Sequence, residues 1–213
     1  LFTMQLMLLM LKDAEEKIQN GISFKNAEAE NKISEFISVL PFELTEGQKK
    51  VWGEISANMD DCRTMNRLVI GDVGSGKTVL AVLAMLKAII AGYQAVFMAP
   101  TEILAEQHYN AVSKMLSPFN IKVWLVTGAL NAKEKRETLS AIESGEAKCI
   151  IGTHALIQPT VKYGKLGLAV TDEQHRFGVR QRAMLSEQEN TPDVLVMTAT
   201  PIPRTLALIL YGD

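Results

Sequence analysis

The run Gly71-Asp72-Val73-Gly74-Ser75-Gly76-Lys77-Thr78 is a complete G-x-x-x-x-G-K-T pattern. It lies between an apolar stretch, Arg67-Leu68-Val69-Ile70, and a helical one from Thr78 to Ala91. A strand feeding such a loop lets the backbone N–H groups around Gly71, Gly74, Ser75 and Gly76 wind toward one point, and the helix that follows aims its positive end there. Lys77 adds a point charge for β- and γ-phosphates, and the Thr78 hydroxyl is placed to ligate Mg2+. A glycine-rich turn that binds nothing has no need of all four fixed positions in this setting. A nucleoside triphosphate is the expected ligand.

Asp172 and Glu173 follow the apolar run Leu168-Ala169-Val170. Hydrolysis of Mg2+–ATP needs carboxylates at such a strand end. Asp172 would hold the metal shell, largely through water, and Glu173 would orient and polarise the attacking water. Thr198-Ala199-Thr200 also follows an apolar strand. Its two hydroxyls can bridge the carboxylates to neighbouring groups, although taken alone the segment reads first as a turn before a helix opened by Pro201 and Pro203. Thr45-Glu46-Gly47-Gln48 fits a capping box in which Gln48 satisfies the backbone of Thr45. The alternative has Gln48 reading an adenine edge beside a stacked Phe42, and composition does not separate the two. Ala99-Pro100-Thr101-Glu102, Thr127-Gly128 and Gly152-Thr153-His154 stand at three further strand ends. Hydroxyls, N–H groups and a histidine in such places suit the phosphates of a single nucleic-acid strand, and each by itself is also a common cap or turn.

These loops require a scaffold that brings strand ends together. Strands are expected at 67–70, 94–98, 121–126, 148–152, 167–171 and 193–198, with helices at 46–58, 78–91, 103–116, 132–144 and 203–210. Continuous apolar strands alternating with helices predict an α/β fold, a mostly parallel sheet covered on both faces. Ligands in such sheets bind beyond the carboxyl ends of the strands, where all the motifs above fall. Residues 2–19 read as a further helix stopped at Gly21, and 22–40 as a linker before Pro41 opens the domain. The expected division is an N-terminal helix and linker at 1–38 and an ATP-binding domain at 39–213.

Composition sets the outer bounds. Apolar residues make up 47% and charged residues 22%, ordinary for a domain that buries a core. A net charge of −2 argues against wholesale coating of nucleic acid, while leaving room for a local basic groove. Cys62 and Cys149 form neither a disulfide framework nor a metal motif, which fits a reducing, cytoplasmic setting. The apolar start of the chain lacks a basic leader and a cleavage site, no segment reaches the ~20 apolar residues of a membrane span, and no membrane partner is expected. With Leu1 in place of an initiator Met, the chain is expected to be part of something longer.

The order of motifs carries a resemblance. Phosphate loop, Ala-Pro-Thr-Glu, Thr-Gly, Gly-Thr-His, Asp-Glu-x-His and Thr-Ala-Thr resemble the series in the first RecA-like motor lobe of superfamily 2 helicases. The stretches Met98 to Tyr109, Gly152 to Ile157, Asp172 to Gly178 and Met197 to Thr205 look like those of the RecG family of bacterial branched-DNA helicases. Gln174 and the run from Thr101 to Tyr109 favour that family over the transcription–repair coupling factors, which share parts of the motifs with the primosomal helicases. The resemblance covers residues 39–213. It implies ATP and Mg2+ at Gly74 to Thr78, Asp172 and Glu173. It also implies coupling of nucleotide and DNA states through Gln174, His175, Thr198 and Thr200, and DNA contacts from Pro100, Thr101, Thr127, Gly128, Thr153 and His154. Residues 1–20 resemble, more loosely, the helical connection after a wedge domain. Implied partners are forked or branched DNA, a second RecA-like lobe and the wedge domain of the same parent chain. Without that second lobe, the chain by itself is expected to turn over ATP very poorly.

Other classes fit less well. A GTPase would carry an Asn-Lys-x-Asp base reader downstream of the phosphate loop, whereas the only Asn-Lys pair, Asn31-Lys32, lies upstream. A small-molecule kinase has no use for Asp-Glu-Gln-His followed by Thr-Ala-Thr. A nucleotide-binding module without turnover remains the alternative, separated from a motor by DNA-stimulated ATPase activity.

Overall fold

The computed structural model describes residues 21–172 and 191–199. Glu173, Gln174, His175 and Thr200, together with the helices expected at 2–19 and 203–210, lie outside the described residues.

Among the described residues six strands form one wholly parallel sheet: β1 (Asn66–Ile70), β2 (Gln94–Met98), β3 (Val123–Val126), β4 (Cys149–Gly152), β5 (Leu166–Asp172) and β6 (Asp193–Thr198). Their spatial order is β1-β6-β5-β2-β4-β3. Among the described residues five helices of three or more turns accompany them: α1 (Ala27–Val39), α2 (Glu46–Asp60), α3 (Lys77–Ile90), α4 (Glu102–Leu116) and α5 (Ala132–Glu143). Strand β3 begins at Val123 rather than at 121, and the other expected elements that fall within the described residues agree to within two residues.

Each helix start has a local cause. The Asn26 side chain accepts from Glu28 N at 2.8 Å to open α1, and acidic Glu28 and Glu30 occupy its first turn. Thr45 and Gln48 make the reciprocal capping box of α2, and Asn131 and Glu134 that of α5. Helix α3 has no side-chain cap. It starts directly from the phosphate loop, at Lys77 after Gly76.

Helix α3 is the spine of the core, with Val79 to Ile89 buried throughout. On its side of the sheet, Phe36, Ile55, Met59, Leu83, Phe97, Val112 and Leu168 join one apolar cluster. A second cluster, including Val96, Ile142, Ile150, Leu156 and Val196, fills the opposite face beneath α5. Strand alternation sorts residues between the two faces, so Val170 falls in the first cluster and Ala169 in the second. Burial pushes the Cys149 thiol up to about 12, leaving an inert core residue.

One expectation is overturned here. The stretch read as a linker, 22–40, contains α1, and Ile22, Phe24, Ala29, Ile33 and Phe36 are buried in the domain. Lys87 of α3, itself fully buried, places its ammonium 2.8 Å from Asp60 Oδ1 and 3.2 Å from Glu30 Oε1, and donates to Ser56 Oγ at 2.6 Å. A buried cation is tolerable only when so surrounded. Its partners bind α1 and α2 to the phosphate-loop helix. Among the described residues no helix is long and apolar enough to cross a membrane.

Candidate functional site

The carboxyl edge of the sheet divides into two halves. On one half, neighbouring strands β1, β6 and β5 end in the phosphate loop, Thr198-Ala199 and Asp172. Ile70 pairs with Thr198, and Met197 with Asp172, so the three lie at one level. The Gly71 N–H donates to Thr198 O at 3.2 Å, stitching the start of the loop to the neighbouring strand end. On the other half, β2, β4 and β3 end in Ala99-Pro100-Thr101, Thr153-His154 and Thr127-Gly128.

The phosphate loop is shaped by glycines that other residues could not replace. Gly74 and Gly76 have φ of 79° and 82°, in the left-handed region where a Cβ is strained. A Cβ on Gly76 would also run into the Gln48 side-chain nitrogen. The Lys77 ammonium donates to Gly71 O at 2.6 Å and to Asp72 O at 2.8 Å, which holds it across the mouth of the loop. Val73 projects outward at 89% exposure. A loop of this form, with a lysine at its mouth and a helix N-terminus beneath, fits a polyanion.

Gln48 does what its capping role predicts and one thing more. Its Oε1 accepts from Thr45 N at 2.9 Å, and its Nε2 donates to Ser75 O at 2.9 Å. The first turn of α2 is thereby fastened to the phosphate loop. Phe42 stands 46% exposed, in a surface depression with Leu40, Lys49 and Trp52. An exposed ring is available for stacking.

Asp172 ends β5 on the face covered by α3 and α4, and its Oδ2 lies 3.0 Å from His108 Nε2. His108 belongs to α4, and its ring lies against Phe97 with centroids 4.5 Å apart. The sequence reading placed His108 within a matching stretch and gave it no role. The available signal was its spacing, since it stands seven positions after Thr101, two helical turns on one face.

The residues proposed to meet DNA differ in access. Thr101, Gly128 and His154 are exposed and Pro100 is half-buried. Thr127 and Thr153 are buried, at 6% and 3% exposure. The Thr101 hydroxyl oxygen caps α4 by accepting from Leu104 N at 3.3 Å, and its proton remains able to donate outward. Glu102 was also overlooked: its carboxylate accepts from the Gly128 N–H at 2.7 Å, tying the β3 loop to the start of α4. A Cβ on Gly152 would run into Val126 O, so the close approach of β3 and β4 there requires glycine. Tyr163 donates to Leu156 O at 2.7 Å, bracing the short turn His154–Ile157 that presents His154.

Comparison with known proteins agrees with this arrangement. The DEAD/DEAH box helicase family model matches residues 45–209. The ATP-dependent DNA helicase RecG of Streptococcus pneumoniae serotype 4 is 54% identical over 213 residues, covering 100% of this chain and 31% of that protein. RecG of Bacillus subtilis is 46% identical over 98% of this chain and 30% of its own length. A solved structure of RecG bound to a three-way DNA junction superposes with a TM-score of 0.86 at 46% identity, covering 100% of this chain and 28% of that one. The chain thus spans less than a third of the length of these relatives. A DNA-bound helicase MrfA, at 19% identity and a TM-score of 0.65, shares the fold. With the phosphate loop, Asp172 and Thr198 on three adjacent strand ends and the family match running through all of them, the chain belongs to the DEAD/DEAH box helicase family, and its fold is that of a RecA-like motor lobe.

Proposed function

We propose that this chain is the first motor lobe of an ATP-dependent DNA translocase acting on branched DNA in recombination and repair. The observation that carries the reading is the division of one sheet edge into a nucleotide half (β1, β6, β5) and a half with outward-facing Thr101, Gly128 and His154 (β2, β4, β3). Within the nucleotide half, backbone N–H groups from Gly71 to Gly76 cradle the phosphates and Lys77 neutralises the β- and γ-groups. Gln48 and Phe42 receive the adenine. Thr78 and Asp172 would hold Mg2+, which supplies charge neutralisation on the phosphates. Glu173 polarises the attacking water, while Gln174, His175, Thr198 and Thr200 relay the nucleotide state toward the DNA half.

Charge developing on the γ-phosphoryl needs cations from a facing lobe, and arginines so placed are worth roughly 10³–10⁵ in rate. The chain's relatives are more than three times its length, which leaves room for a second RecA-like lobe and a wedge domain in the full-length protein.

The test is a calorimetric titration of the full-length protein with Mg2+–ADP and Mg2+–ATP, paired with turnover on forked DNA. Lys77→Ala is expected to weaken nucleotide binding at least tenfold. Glu173→Gln should retain binding and lose turnover, and Asp172→Asn should lose the Mg2+ dependence of binding. Unchanged affinity in Lys77→Ala would remove the nucleotide assignment. Turnover that forked DNA does not stimulate would favour a binding module.

A further inference from the structure

We propose that His108 is a positioning residue for the candidate metal carboxylate, and that α4 thereby links the DNA half of the sheet edge to the nucleotide half. The inference rests on the reading of Asp172 given above and adds a second residue to it. An ionised carboxylate only accepts hydrogen bonds, so the 3.0 Å contact places a proton on His108 Nε2, donated to Asp172 Oδ2. That bond fixes the carboxylate plane. Oδ1 has no hydrogen-bond partner among the described residues and is left for a metal or its water. Partners of this kind orient ligands and raise their basicity, and their loss typically weakens metal affinity by roughly 10–100-fold.

Three features separate this contact from a chance pairing. The imidazole is held from behind by Phe97, a fully buried residue of β2, with the ring planes tilted by 44°. Both partners are largely shielded, with side-chain exposures of 15% for His108 and 23% for Asp172, so the bond is made away from competing water. The helix that carries His108 is capped by Thr101, an exposed residue of the proposed DNA half, and Glu102 holds the Gly128 loop to the same helix start. A shift of α4 as a rigid rod on meeting a phosphate moves His108, and with it the donor that orients Asp172. The coupling device is one helix and two hydrogen bonds.

The decisive experiment is a Mg2+ titration of fluorescent-ADP binding to the full-length protein, with EDTA as the zero point. His108→Phe keeps a ring against Phe97 and removes the donor. It is expected to raise the Mg2+ concentration for half-maximal binding roughly tenfold, with ADP affinity in EDTA unchanged. His108→Gln sets an amide N–H near the position of Nε2 and should recover most of the loss. His108→Asn, whose amide is too short to reach, serves as the second loss-of-contact variant should the Phe variant not fold. Asp172→Asn calibrates the assay. If Asp172→Asn shifts the Mg2+ midpoint and neither His108→Phe nor His108→Asn does, the positioning role is wrong and the metal reading stands. If Asp172→Asn itself produces no shift, both fall together.

Discussion

At the scale of single residues, Asp193 is the group most at odds with its surroundings. It opens β6, and its Oδ1 accepts from Met65 N at 2.7 Å while Oδ2 is buried with no partner among the described residues. Burial pushes its carboxyl up to about 8, against the smaller opposing effect of the Met65 bond. An acid whose folded value exceeds its unfolded value of 3.8 stabilises the fold fully below that lower value. The contribution is lost as pH rises from about 4 through about 8. Asp193→Asn keeps an acceptor for Met65 N and removes the titration. Compared with the parent in urea melts, it should therefore gain stability progressively across that window, by an order of a few kcal/mol at pH 8. Parallel stability–pH curves for the two proteins would show that Asp193 is ionised and solvated after all. Through its bond to Met65 N, Asp193 ties the start of the strand that carries Thr198 to the residue preceding β1.

At the scale of elements, α1 shows how a legible signal was passed over. Ala29, Ile33, Phe36, Ile37 and Leu40 recur at helical spacing, and all but Ile37 and Leu40 are fully buried. Polar residues interrupt the stripe, so that from sequence 22–40 reads as mixed polar and apolar without a sustained period, hence as a linker. Phe36 is 1% exposed and lies 5.8 Å from the Phe119 ring. Phe36→Ala is accordingly expected to destabilise the domain by about 3–5 kcal/mol, the usual cost of emptying a buried aromatic site. A tethered linker would show less than about 0.5 kcal/mol in the same denaturation experiment. The rest of α1 is secured by charge, through Glu30 and the buried ammonium of Lys87.

At the scale of the whole molecule, the two halves of the sheet edge set what can be measured on DNA. Contacts from hydroxyls, N–H groups and a histidine to phosphates are independent of base sequence and weaken with salt. In the full-length protein, His154→Ala and Thr101→Val should each lower the affinity for single strands of unrelated sequence by a similar factor of about 2–10. Thr101→Ser, which keeps both the cap and the outward donor, should bind like the parent. Thr153→Ala should matter less than either, because Thr153 is buried. Loss confined to one sequence, or an effect of Thr153→Ala equal to that of His154→Ala, would place the track elsewhere.

The amino-acid sequence alone determined the phosphate loop, the identity of the strands and helices around it, and the parallel α/β class. Those features are local: a glycine pattern, a capping residue or an apolar run acts over a few neighbours, and each leaves its mark at fixed spacing. The placement of Asp172 and Thr198 at strand ends was also legible, from the apolar runs that precede them. What the sequence left open was which strand ends meet. In the chain the phosphate loop is followed by Thr101, Gly128 and His154 before Asp172 and Thr198 appear, whereas the strand order β1-β6-β5-β2-β4-β3 sets Thr198 and Asp172 directly beside the loop. That order follows from which faces bury the most apolar surface, a property of the whole packed sheet. The His108–Asp172 contact, the Glu102 brace and the Gln48–Ser75 link belong to the same category. Each joins residues far apart in sequence through a single polar bond, and only the packing of α2 and α4 against the sheet brings those partners within reach.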